Sequence, residues 1–139
     1  MSAWADTQNL IRSAHSLRLQ KQEELGHVTK LIDYVAERDG KIVLTGIGRP
    51  EANFTSPLQL FETFLEQETS VTTAIYRIYD LAVEEKDYAA QALMQWYVEE
   101  QVEEENSASE IICTLKLPED SGSGLLMVDR ELAARAGAN

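Results

Sequence analysis

Apolar residues recur at alternating spacings of three and four along three long segments of the chain, residues 10–34, 58–79 and 90–115. This spacing is typical of helices that pack side by side in a left-handed bundle. The pattern therefore predicts an all-α fold. The predicted elements are long helices over about residues 9–38, 57–85 and 88–116, and a short last helix over about 124–135.

A long connector separates the first two helices. Asp39-Gly40 is predicted to end the first helix, because glycine is the usual residue just beyond a helix C-terminus. Gly46, Gly48 and Pro50 prevent the helix from continuing through residues 40–56. A connector of this length is expected if the chain crosses the length of a bundle, which would make the first two long helices parallel.

The second and third helices have clear start signals. Ser56 can cap free amides, Pro57 suits the first helical position, and Gln59 can complete a capping box. Lys86 and Asp87 predict a tight turn, with Asp87 capping the third helix.

Composition narrows the class of protein. A length of 139 residues predicts one domain over 1–139, large enough for a core without disulfides. The net charge of −12 argues against a nucleic-acid partner and favours cations. The single cysteine fits a reducing compartment, and no apolar run is long enough to cross a membrane. Since no signal peptide is evident, we expect a cytoplasmic protein.

Each apolar stripe carries acid near its middle. Glu24 and His27 lie on the first stripe, Glu68 on the second, and Gln101 and Glu104 on the third, while no lysine or arginine lies on any of them. A buried unpaired carboxylate costs several kcal/mol, so these groups need neutralisation. A pair of metal ions would provide it, and carboxylate with imidazole suits iron, manganese or zinc. The alternative is a protonated or bridged polar layer.

Further acids flank these positions. Glu23 precedes Glu24, and Glu100 and Glu103 lie beside Gln101 and Glu104. A charge run is usually a solvated helix face, but the proximity of these residues to the inner set also allows an auxiliary cation site. Both interpretations stay open on the residues alone.

Several short strings along the chain are specific enough to identify a family. The most specific is QWYVEEQVEEE at residues 95–105. The others are Gln22-Glu23-Glu24-x-x-His27, Ser56-Pro57-Leu58, Glu66-Gln67-Glu68, and GSGLL at 122–126 followed by Asp129-Arg130-Glu131-Leu132. In the order and spacing of these strings, the sequence resembles the bacterial non-haem ferritins over nearly all of its length. The resemblance implies a ferritin-like four-helix bundle with a short C-terminal fifth helix.

The resemblance also implies a function. Ferritins store iron in homo-oligomeric cages of 24 subunits, oxidising Fe(II) with O₂ or peroxide at a di-iron ferroxidase centre. Carried over, Glu24 would bridge the two irons, His27 would hold the first, Glu68 and Glu104 would hold the second, and Gln101 would lie beside them. Residues similar to those of a third iron site are Glu23, Glu100, Glu103 and Glu104.

The chain departs from the family in one respect. It has three long helices rather than four, and residues 1–8 match only the end of the family's first helix. A glutamate that ligates the first iron belongs to the missing part. Either the start was assigned at an internal methionine, or the short chain is genuine and leaves an apolar groove to be filled. Two alternatives to a ferroxidase therefore stay open: a structural subunit of the same fold without that activity, and a helical module that binds a partner helix.

Overall fold

The protein is described by a computed structural model over residues 1–8, 10–50, 52–116 and 128. The described residues form four helices and no strand, which confirms the all-α prediction. The helices are α1 (Ser2–Thr7), α2 (Ile11–Glu37), α3 (Pro57–Glu84) and α4 (Tyr88–Lys116). The predicted last helix at 124–135 lies outside the described residues except for residue 128, and the single-domain assignment stays a prediction.

The described residues fall into two compact units. The first unit holds α1, α2 and the chain up to Phe54, and the second holds α3 and α4 from Thr55 onward. None of the described helices is long and apolar enough to cross a membrane.

The core of the first unit lies where α1 meets the start of α2. Ala5, Leu10 and Ala14 are buried together there, with Leu17 packed against them. The Leu10 N–H donates to the Ala5 carbonyl at 3.1 Å, which fixes the corner between the two helices. Because α1 has only six residues, it covers only the first turns of α2, and α2 has no buried residue beyond Ala14.

The end of α2 differs in detail from the expected glycine stop. Asp39, not Gly40, takes the left-handed backbone conformation, with φ of 56°. The Asp39 N–H donates to Ala36 O at 3.1 Å and the Gly40 N–H to Val35 O at 2.8 Å, which are the two bonds of a Schellman motif. Glycine is still required at position 40, because a Cβ there would lie 2.6 Å from Val35 Cγ1 and 2.8 Å from the Val35 carbonyl oxygen.

The connector after α2 has no regular structure, and all of residues 41–50 are exposed. Its aliphatic side chains share that exposure: Leu44 is 79% and Ile47 98% accessible. Phe54, at the end of the first unit, is buried and packs edge-on against Trp4 with ring centroids 5.7 Å apart.

The start of α3 follows the predicted cap with one change. Ser56 Oγ accepts from the Gln59 N–H at 3.1 Å, as an N-cap serine should. The Gln59 side chain, however, accepts from the Thr55 N–H at 2.6 Å and from the Thr55 hydroxyl at 2.8 Å. The return bond of the capping box is thus made one residue earlier than expected.

The turn between α3 and α4 is tight and closed by its own backbone. Lys86 adopts φ of 56°, its N–H donates to Val83 O at 3.2 Å, and the Asp87 N–H donates to Ala82 O at 2.9 Å. Asp87 Oδ1 then accepts from the Ala90 N–H at 3.1 Å and so caps α4 as predicted. These bonds set the register of the α3–α4 hairpin.

Replacing Lys86 by glycine is expected to stabilise the protein by about 0.5–1 kcal/mol. Left-handed backbone is costly for a residue with a Cβ, and glycine relieves that cost at an exposed C′ position, although it also increases the entropy of the unfolded chain. Urea unfolding followed by circular dichroism measures the change. Lys86→Ala is the matched control, since it removes the same charge but keeps the Cβ, and equal stability of the two variants would contradict the explanation.

Candidate metal centre

The second unit buries a carboxylate and a carboxamide against each other in the middle of its helix pair. Glu68 on α3 is 7% exposed and Gln101 on α4 is 5% exposed. Gln101 Nε2 lies 3.3 Å from Glu68 Oε2 and 3.2 Å from the Glu68 backbone carbonyl oxygen. The amide thus donates to the glutamate at both its side chain and its main chain.

Thr72, one turn after Glu68, extends this polar layer. Its Oγ1 accepts from Gln101 Nε2 at 3.1 Å, and its hydroxyl donates to Glu105 Oε1 at 2.5 Å. Among the described residues, every buried side-chain nitrogen or oxygen has a hydrogen-bond partner. The layer is therefore a satisfied network and not a packing defect.

Apolar side chains enclose the network along both helices. Phe61 and Ile75 are buried on α3, and Met94, Tyr97 and Ala108 are buried on α4. Burial raises the pKa of the Tyr97 phenol above its ordinary value by desolvation. Ligands held in such surroundings experience stronger electrostatic interactions than they would in water.

Glu104 is the other predicted ligand in this unit. It lies three residues after Gln101 on α4, which puts the two on one face of the helix, and it is partly buried. Carboxylates from α3 and α4 and an amide oxygen are donors that suit a hard or borderline divalent cation.

The first unit contains the carboxylate–imidazole pair. Glu24 Oε2 and His27 Nδ1 on α2 are 3.7 Å apart, and the side chains are 45% and 18% exposed respectively. The sequence pattern predicts both residues on an inner stripe, but the Glu24 side chain is more exposed than a residue on an inner stripe should be. The helix here is beyond the part that α1 covers, which is the physical reason for the difference.

The predicted auxiliary residues lie on more open faces. Glu23 and Glu103 are exposed and Glu100 is partly buried. Within the described ranges, no three His, Cys, Asp or Glu side chains approach closely enough to hold one metal ion. The structure thus brings together two parts of the predicted set, Glu24 with His27 and Glu68 with Gln101, each inside its own unit.

Two polar members of the layer were not predicted. Thr72 lies on the α3 stripe, but the sequence indicates only an ordinary small core residue there. Glu105 falls off the α4 stripe and inside an acidic run, so its sequence position indicated only a solvated face. The one available signal was the spacing Glu68-x-x-x-Thr72, which puts a hydroxyl one turn from a buried carboxylate.

Comparison with known proteins decides the family. The model of the ferritin family, described as a ferritin-like domain, matches residues 1–117. The chain belongs to the ferritin family. A probable bacterial non-heme ferritin-like protein of Haemophilus influenzae is 37% identical over 132 residues, which are 95% of this chain and 80% of that protein. A bacterial non-heme ferritin of Staphylococcus saprophyticus is 36% identical over 136 residues, covering 98% and 81%.

Solved structures agree with the family assignment. An open pore ferritin from the archaeon Archaeoglobus fulgidus superposes with a TM-score of 0.90 at 40% identity, covering 96% of this chain and 82% of that one. The resemblance to non-haem ferritins and the ferritin-like helical fold are therefore both confirmed.

The buried phenol of this ferritin-family chain predicts a pH dependence. Because burial raises the pKa of Tyr97 in the folded state, the unfolded chain loses the phenol proton at a lower pH than the folded chain does. The protonated phenol therefore contributes its full share to the free energy of unfolding below about pH 10. That contribution is lost as the pH rises through the folded-state pKa. Tyr97→Phe should remove this loss, which is at most about 1.4 kcal/mol per pH unit.

The measurement is the free energy of unfolding in urea between about pH 9 and pH 11. Tyr88→Phe is the control, because Tyr88 is 76% exposed on the same helix. The interpretation fails if Tyr97→Phe retains the alkaline slope of the unaltered chain.

Proposed function

We propose that this protein is an iron-storage subunit that binds and oxidises Fe(II) at a di-iron carboxylate centre. The observation that carries the proposal is the buried Glu68–Gln101 pair, held between two helices of a ferritin-family chain. A carboxylate buried in an apolar helix pair is costly unless it is compensated, and a divalent cation is a partner that would offset its charge.

The residues are assigned roles as follows. Glu24 bridges two iron ions, His27 binds the first, Glu68 and Glu104 bind the second, and Gln101 lies beside the pair. The donor types support the assignment, since carboxylate oxygens with one imidazole suit iron. A third iron site is proposed on Glu23, Glu100, Glu103 and Glu104, of which Glu23 and Glu103 are exposed and permit exchange of an ion with solvent.

Iron is the substrate of this reaction, and two ferrous ions provide its two electrons. O₂ that accepts these two electrons and two protons becomes hydrogen peroxide. Peroxide that accepts two electrons from two further Fe(II) ions, with two protons, becomes two molecules of water, and every iron is left as Fe(III). The protein's part is to hold the two ions in place and to exclude other ligands. The excess of acid, with net charge −12, favours cation entry and deposition of ferric mineral.

The proposed assembly is a cage of identical subunits in the cytoplasm. A solved relative that this chain resembles is named an open pore ferritin. Cys113, the only cysteine of the chain, is free and exposed, which suits a reducing compartment.

Ferrous iron added in air tests the activity. The unaltered chain should oxidise Fe(II) faster than buffer alone, and Glu68→Ala should lower the initial rate at least about 10-fold because it removes a proposed ligand. Glu66→Ala is the matched control, since Glu66 lies on the same helix but is exposed. Oxidation no faster than in buffer by the unaltered chain would overturn the proposal.

The two metal positions are expected to differ in affinity. Within this chain the second position has three carboxylates, Glu24, Glu68 and Glu104, whereas the first has Glu24 and His27. More anionic ligands bind a divalent cation more tightly. Titration with Co(II), followed by its visible absorption, should show a tighter phase that Glu68→Ala abolishes and a weaker phase that His27→Ala abolishes. The reverse pattern would contradict the assignment.

A structural subunit without ferroxidase activity is the second candidate. It is favoured by the 45% exposure of Glu24, because a ligand that bridges two iron ions is expected to be buried among the other ligands. Normal assembly combined with unchanged Fe(II) oxidation after Glu24→Ala would support this candidate.

A further inference from the structure

Thr72 uses its hydroxyl differently from the threonines beside it on α3. Thr69 and Thr73 donate to carbonyl oxygens of their own helix, Leu65 O and Thr69 O, both at 2.9 Å. Thr72 donates instead across the helix pair to Glu105 Oε1. A threonine in a helix usually bonds back to the preceding turn, so the bond of Thr72 to α4 is a departure from the local pattern.

The direction of each bond in the network follows from the chemistry of its groups. A hydroxyl has one proton, and Thr72 gives it to Glu105, since the oxygens of an ionised carboxylate can only accept. The hydroxyl oxygen can then only accept from Gln101 Nε2. The chain of bonds therefore runs one way, from Gln101 through Thr72 to Glu105.

This polarity fixes the amide of Gln101. The three groups within 3.1–3.3 Å of Nε2 are all acceptors, namely the Glu68 carboxylate, the Glu68 carbonyl and the Thr72 hydroxyl oxygen. With the amide rotated by 180°, Oε1 would face these three oxygens and the bonds would be lost. Gln101 Nε2 thus donates to Glu68 and Thr72, and Gln101 Oε1 takes no part in these bonds.

We propose that Thr72 and Glu105 are positioning residues for the metal centre: together they hold the amide of Gln101 with its nitrogen on Glu68. The amide oxygen of Gln101, which takes no part in these bonds, is thereby turned to serve as a donor to a cation. The inference rests on the proposed function, because Glu68, which the network surrounds, is a metal ligand only under that proposal.

Two substitutions of Thr72 that differ in the hydroxyl group provide the first test. Thr72→Val keeps the volume but removes the hydroxyl, whereas Thr72→Ser keeps the hydroxyl. Thr73→Val is the matched control, since Thr73 is exposed and bonds only within α3. Co(II) is the probe, because its visible spectrum reports the geometry of its ligands as well as its binding.

Thr72→Val is expected to weaken the tighter Co(II) phase about 10–100-fold and to alter its absorption bands, as loss of a group that orients a ligand does in other metal sites. Thr72→Ser should restore both, and Thr73→Val should change neither. Circular dichroism and thermal unfolding show whether each variant is folded. A folded Thr72→Val that binds Co(II) as tightly as the unaltered chain, with the same spectrum, would overturn the inference.

Glu105 provides an independent test by double-mutant cycle. If Thr72 and Glu105 act through one chain of bonds, Glu105→Ala and Thr72→Val together should weaken Co(II) binding no more than Thr72→Val alone. Glu110→Ala, on the same helix and exposed, is the control for loss of one negative charge. Additive effects of the two substitutions would show that Glu105 acts only through its charge and would overturn its positioning role.

The two levels of proposal fail in different ways. If the unaltered chain neither binds Co(II) in a tighter phase nor oxidises Fe(II), the proposed function is wrong. There is then no metal centre for Thr72 and Glu105 to position. If the unaltered chain does both and the Thr72 and Glu105 variants match it, only the positioning role is wrong.

Discussion

The burial of the Glu68 carboxylate is the constraint on which the second unit depends. Burying a charge between two apolar helices costs several kcal/mol unless donors or a cation compensate for it. In this chain the first compensation is Gln101, whose amide donates to both the side chain and the carbonyl of Glu68. The two helices must therefore meet in one register, because a shift of one turn would take the Gln101 amide away from the carboxylate.

That register is set at the two ends of the hairpin. At the turn, the left-handed Lys86 and the Asp87 cap fix how α4 leaves α3, and Gln91 Nε2 donates to Ala82 O at 2.9 Å just beyond it. At the far end, Lys116 Nζ pairs with Glu62 Oε1 at 2.8 Å. Gln101 lies about four helical turns from the turn, so a small error in the cap would displace it from Glu68. The geometry of the network thus begins in the chemistry of a short surface turn.

Patterning of apolar residues predicted the three long helices and put Glu68, Gln101 and Glu104 on inner stripes, since burial follows the helical period closely. It did not predict Glu105, because which of two adjacent acids reaches a neighbouring hydroxyl depends on the rotation of α4 and not on its period. It also assigned the left-handed residue after α2 to glycine, whereas Asp39 takes that conformation and Gly40 is needed for space. Glu24 was expected inside a core, but a stripe becomes buried only where a partner covers it, and α1 is too short to reach that turn.

The hydrogen bonds around Glu68 hold its charge without neutralising it. The Gln101–Glu68 contact of 3.3 Å is long for a bond to a carboxylate, and it involves one oxygen only. A carboxylate restrained in this manner has already lost its rotamer freedom on folding, so binding a cation need not cost that entropy again. The long Gln101–Glu68 hydrogen bond and the satisfied network around it therefore both favour the binding of a cation. They hold the Glu68 carboxylate in one position before the cation arrives.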